Sequence, residues 1–165
     1  MPLDSSGMHA LPFRLKVPGE DIFEGTDIIS RSFKFHGMLR FDGEILRLEW
    51  AGSASVDEVS TLDVNSRTLS LPSEQMELSV AYLRRAEFRG GWWRPRLELE
   101  AWEVDLLRIV PGEAGGLVRL WLARGDREQG RAAAEALTAA LRAPRVSDRT
   151  PHLELPAVTP PEGVG

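Results

Sequence analysis

The stretch FKFHGMLRFDGEILRLEW, residues 33–50, alternates apolar and polar side chains on both sides of an Asp-Gly pair. Successive strand side chains point to opposite faces, so Phe33, Phe35, Gly37, Leu39 and Phe41 share one face and Lys34, His36, Met38 and Arg40 the other. Beyond the turn, Leu46, Leu48 and Trp50 continue the apolar face against Ile45, Arg47 and Glu49. Asp-Gly between alternating runs is a strong hairpin signal. The pattern requires an antiparallel hairpin with one buried side, which two strands cannot bury by themselves.

Period two recurs as far as Ala123. YLRRAEFR sets Ala86 and Phe88 against Arg85, Glu87 and Arg89, and a Gly90-Gly91 turn follows. In WWRPRLELEAW an unbroken strand puts Trp93, Leu97, Leu99 and Ala101 in the core and Trp92, Arg94, Arg96, Glu98, Glu100 and Trp102 outside. Pro95 marks an edge or a bulge near its start. LVRLWLAR sets Val118, Leu120 and Leu122 against Leu117, Arg119, Trp121 and Ala123. Residues 52–79 hold one or two further strands around a DVNS turn, with boundaries left open. VDLLRIVPGEAGG reads as a loop with a helical turn near Asp105–Ile109; its glycines lack a P-loop lysine and form turns.

After RGD the period changes. REQGRAAAEALTAALR carries Ala133, Ala136, Leu137, Ala140 and Leu141 on one helical stripe, with Asp126 placed to cap the start. Gly130 costs this helix about 1 kcal/mol relative to alanine. Three segments result: an N-terminal arm, 1–31, docking through Ile22, Phe23, Ile28 and Ile29; a domain, 32–142, ending in the helix at about 126–142; and a Pro-rich flexible tail, 143–165, with five of the eleven prolines.

Six to seven antiparallel strands followed by one C-terminal α-helix whose stripe must be buried make a mainly β protein, a bent antiparallel sheet or partly open barrel closed by that helix. FHGMLRFDGEILRLEW, RRAEFRGGWWRPRLELEA, LLRIVPGEAGGLVRLWLARGDRE and the alanine-rich helix together resemble the pleckstrin-homology-like (PH-like) superfold, in particular a bacterial PH-like family, over about two-thirds of the chain. The resemblance implies a domain of a superfold that serves headgroup binding, peptide binding and scaffolding. This chain departs from the phosphoinositide-binding members. Lys34, Arg40 and Arg47 are the only bases in its 33–50 hairpin, no Arg-x-Arg follows Lys34, and the closing helix lacks their usual tryptophan.

The 165 residues suffice for one domain with a sizeable core. Without cysteine there are no disulfides, thiolate nucleophiles or zinc-thiolate sites. Lys16 and Lys34 are the only lysines among 20 basic residues, and the arginine and alanine usage fits a GC-rich bacterial genome. No segment reads as a signal peptide or a membrane span, so a cytoplasmic protein is expected. A net charge of −5 argues against duplex nucleic acid.

His9, His36 and His152 are too scattered to ligate a metal. The pairs Asp57/Glu58 and Glu98/Glu100 invite an acid–base reading, but the second lies on the outer face where nothing raises a pKa. No enzyme activity, cofactor or metal is expected. What stands out is aromatic: an outward indole offers about 150–250 Å² of surface that something should cover. The arm, the tail or a partner could cover Trp92 and Trp102. The expected function is therefore interaction, with a protein partner or a second copy held by Trp92, Trp102, Trp121, Arg94 and Arg96. The alternative is an anionic headgroup or acidic ligand held by Arg84, Arg85, Arg89, Arg94 and Arg96, with at most peripheral membrane contact; Glu87, Glu98 and Glu100 between those arginines instead suggest cross-strand ion pairs.

Overall fold

The computed structural model describes residues 9–143; the expected tail and His152 lie outside the described residues. Eight antiparallel strands form one open sheet: β1 (His9–Lys16), β2 (Glu20–Glu24), β3 (Asp27–Phe41), β4 (Ile45–Val59), β5 (Val64–Ser79), β6 (Leu83–Arg89), β7 (Arg96–Ala101) and β8 (Leu117–Trp121). Among the described residues one α-helix, α1 (Arg127–Arg142), follows them. The strand order is β5-β4-β3-β1-β8-β7-β6, with β2 paired to β3 beside this path. Mainly β with one C-terminal helix is the expected class. Among the described residues no helix is long and apolar enough to cross a membrane.

The 33–50 hairpin forms in the expected register, Phe41 opposite Leu46. Its turn is held by Asp42, whose Oδ1 accepts hydrogen bonds from the backbone N–H groups of Ile45 at 2.8 Å and Glu44 at 3.1 Å. Those two donors, Ile45 first, hold the Asp42 carboxyl below the usual aspartate range.

The N-terminal segment departs most from the reading above. Residues 9–16 are no docked arm but a central strand, hydrogen-bonded to β3 along its whole length and bridged to β8 at Arg14–Trp121. The boundary placed at residue 31 falls inside β3. Leu11, Phe13 and Leu15 are buried at every second position, a pattern that Pro12 and the shortness of the run obscure. Residues 20–31 are the β2–β3 hairpin around Gly25-Thr26. The stretch left open at 52–79 resolves into the end of β4 and one long β5, where Pro72 and Ser73 form a bulge between the pairs Trp50–Glu74 and Gly52–Leu71. A proline on an edge strand, where its missing N–H costs nothing, does not end that strand.

The interior is filled from both halves: Leu39, Leu46, Leu48 and Trp50 on one side, Leu97, Leu99, Val118 and Leu120 on the other. Each such side chain stabilises the fold by about 1.5–3 kcal/mol. α1 seals this core with Ala133, Ala134 and Leu137. Its Thr138 hydroxyl donates to the Ala86 carbonyl of β6 at 3.1 Å, covering one edge of the sheet. Asp126 precedes the helix but makes no side-chain cap, because a 3-10 turn at Arg124–Asp126 leads the chain in. Gly130 is buried where a Cβ would crowd Leu122 and Phe88, so close approach to the sheet explains a residue that helix propensity disfavours.

Gly37 is tighter still. A Cβ there would overlap the Glu49 carbonyl and the ring of Phe13, its partner across β1–β3. Gly37→Ala is expected to cost about 1–3 kcal/mol by overpacking, read as a lowered urea midpoint at unchanged slope; an unshifted midpoint would show that β3 yields there freely.

Candidate functional site

The outer faces of β6, β7 and β8 carry the expected arginines, and their own carboxylates engage them. Arg84 and Arg85 reach Glu100 at 3.3 and 3.0 Å, Arg85 and Arg89 reach Glu87 at 2.8 and 3.0 Å, and Arg89, Arg96 and Arg119 converge on Glu98 at 3.2, 2.8 and 3.5 Å. Four of the five cations of the expected anionic site are thus spent inside the sheet, and only Arg94 has no ion-pair partner among the described residues. Glu98 faces outward as read, yet it is only 4% exposed because three guanidinium groups cover it. Burial by itself would raise its pKa, but the hydrogen bond and charge of Arg96, with the charges of Arg89 and Arg119, outweigh it and hold the carboxyl below its usual range.

The indoles do not form one face. The chain between β6 and β7 is a loop rather than a strand, so the parity that put Trp93 in the core does not hold there. Trp93 is 71% exposed and Trp92 60%. Each lies under a cation from the start of the helix: Arg124 sits 3.8 Å from the Trp93 ring centre and Arg127 5.1 Å from that of Trp92. Trp102 is exposed beneath Arg84 at 5.7 Å, past the opposite end of β7. Six residues of strand separate it from Arg96, about 20 Å. Trp121 lies between Lys16 at 3.6 Å and Arg96 at 5.3 Å.

Around Trp121 the structure assembles what the sequence did not suggest. A groove of about 820 Å³ opens between β1, β3, β8 and the β6–β7 loop. Arg14 and Lys16 of β1, Lys34 and His36 of β3, and Arg94 line it together with Trp93 and Trp121, and Leu15, Phe33 and Phe35, at the alternate strand positions, border it. Among the described residues no carboxylate lines it. None of Arg14, Lys16, Lys34 and Arg94 has an ion-pair partner among the described residues. Lys16 stands directly opposite Lys34, and Arg14 opposite His36. Two like charges face to face on a sheet repel by roughly 0.2–1 kcal/mol, so the site holds positive charge at a cost to the fold.

Of the residues expected to bind a partner, Arg94 and Trp121 line this groove and Arg96 stacks against Trp121; Trp92 and Trp102 lie elsewhere. Arg14, Lys16 and Lys34 were missed because β1 was. A signal was nevertheless present: a chain with only two lysines places them where an outward cation would sit on each of two alternating runs. Among the described residues no three His, Asp or Glu side chains converge as a metal site requires. No protein-family model matches the chain, and neither a characterised protein nor a solved structure matches it.

Glu98→Gln is expected to cost about 1–2 kcal/mol at pH 7, toward the low end for a charge-assisted bond because its guanidinium partners are partly solvated. With the folded-state pKa lowered, the carboxylate's contribution is complete above the unfolded pKa of about 4.3 and is lost as pH falls through the folded value. Urea melts of both proteins should differ at neutral pH and converge in acid; a difference independent of pH would mean that packing, not charge, is involved.

Proposed function

We propose that this chain is a non-catalytic interaction domain of the PH-like kind, acting in a bacterial cytoplasm, whose basic and aromatic groove holds an acidic segment of a protein. The observation that carries the reading is the pair of opposed lysines in a groove that no carboxylate of the described residues lines, on a chain whose net charge is −5. An acidic side chain between Lys16 and Lys34 would replace repulsion by attraction, and its desolvated partner groups would rest on Trp93 and Trp121. The groove's size falls within the range of small-ligand sites, enough for a few side chains of such a segment.

Two further features support the reading. The sheet path, with its first long strand joining the two halves and a helix sealing the core after the last strand, suits the PH-like kind. The glutamates of β6 and β7 are ion-paired, and Glu98 is held below its usual range by its guanidinium partners, which leaves it no proton to give at neutral pH and makes it a weaker base. A protein partner is favoured over a bilayer because four of the five arginines expected to meet headgroups, Arg84, Arg85, Arg89 and Arg96, are already neutralised.

Tryptophan fluorescence should report the interaction. A glutamate-rich peptide is expected to change the emission saturably at about 0.05 M salt and much less at about 0.5 M. Lys16→Glu with Lys34→Glu should weaken binding at least about tenfold, while Arg84→Glu with Arg85→Glu should not. Binding that ignores the lysine variants would reject the groove, and capture of phosphatidylserine vesicles without capture of the peptide would assign the site to membranes.

A further inference from the structure

The far ends of β2, β3, β4 and β5 form a four-stranded ribbon that carries much of the exposed apolar surface. Phe23, Ile28, Val59 and Val64 are consecutive register partners across the four strands and are all exposed, and Leu62 in the β4–β5 turn is 95% exposed. Such a row on a soluble surface marks a contact site. One row inward on the same face lie Asp21, Ser30, Asp57 and Ser66, with the Ser30 hydroxyl donating to Asp21 at 2.7 Å. The ribbon's two arginines, Arg31 and Arg67, sit at positions of the opposite parity, so this face of the tip is apolar and acidic.

The even-numbered positions of β3 all belong to this outer face, and they change character along the strand. Row 28 is apolar and row 30 acidic; row 32 is Ser32, Ser55 and Thr68; row 34 carries Lys34 and Lys16; row 36 carries His36 and Arg14, with Trp121 beside Arg14. A half-turn about an axis crossing β3 at Ser32 maps row 30 onto row 34 and row 28 onto row 36. It keeps β2 and β1 on the same side of β3, so Asp21 meets Lys16 of the second copy while Phe23 and Ile28 meet its Arg14 and His36. The hydroxyl row pairs with itself. Reciprocal contact of this kind is how a two-fold dimer is built.

We propose that the acidic segment held by the groove is the ribbon tip of a second copy of this chain, in a reciprocal dimer with each tip on the other's groove. The proposal rests on the groove reading above. The tip cannot serve its own groove: Ile28 and Lys34 are six residues apart on one strand, about 20 Å, and the hydrogen-bonded ribbon cannot fold back. Acidic rows would also repel an anionic bilayer, which makes a lipid occupant the poorer fit for the exposed apolar tip.

Sedimentation of the full chain should give a monomer–dimer equilibrium that stops at the dimer and weakens with salt. Lys16→Glu and Asp21→Lys should each weaken dimerisation about tenfold or more, and the double variant Lys16→Glu/Asp21→Lys should restore it by exchanging the charges. Phe23→Ser should weaken it with no change in the thermal unfolding curve. A wild type that stays monomeric, assembly that grows past the dimer, or a double variant no better than the singles would overturn the proposal. If the glutamate-rich peptide still binds through Lys16 in a monomeric chain, only the dimer is lost; if it does not, the groove reading falls as well.

Discussion

By its backbone pairing, a full ladder on one side and a bridge on the other, β1 joins the two halves of the sheet. It pairs with β3 through eight residues and meets β8 at a single bridge, so it is the seam between the β5-β4-β3 half and the β8-β7-β6 half. Leu11, Phe13 and Leu15 point from that seam into the shared interior. The same alternation turns Arg14 and Lys16 to the outside, beside Lys34, His36 and Trp121. Core and groove are thus two faces of one strand, and the stability of the first fixes the position of the second.

Two basic regions with similar residue types behave differently because of what interleaves them. On β6 to β8 outward arginines stand beside glutamates along and across the strands, and the charges cancel locally, with Glu98 enclosed by three guanidinium groups. On β1 and β3 the outward positions near Trp121 are basic with no acid between them, and no carboxylate of the described residues compensates the field. Four indoles serve as stacking platforms for cations, and Lys16, Arg124 and Arg127 rest on three of them with no ion-pair partner among the described residues.

The sheet's edges are treated unequally. α1 and the Thr138 hydrogen bond cover β6. Among the described residues no strand pairs with the outer side of β5, which is broken by the Pro72 bulge and carries charged residues such as Arg67 and Glu74 that discourage strand addition. Contact through the face of the long ribbon, rather than through its edge, is what this arrangement leaves available.

Local pattern sufficed for much of the fold. The Asp42-Gly43 turn, the inward parity of Leu97, Leu99, Val118 and Leu120, and the stripe of α1 were legible because each depends on neighbours in sequence. Trp93 was misplaced because strand parity was carried across a loop, and β1 was passed over because Pro12 and a short apolar run imitate an irregular arm. The groove was least legible, since Lys16 and Lys34 become neighbours only when β1 pairs with β3.

What the sequence alone determined is the class of structure: period-two faces, a hairpin turn and one terminal amphipathic helix allow few ways to bury their apolar sides. What the tertiary structure decided is which charges stand together. Alternation tells a side chain inside or outside, but its neighbour across a ladder is set by register and strand order, and those follow from packing that no single segment contains.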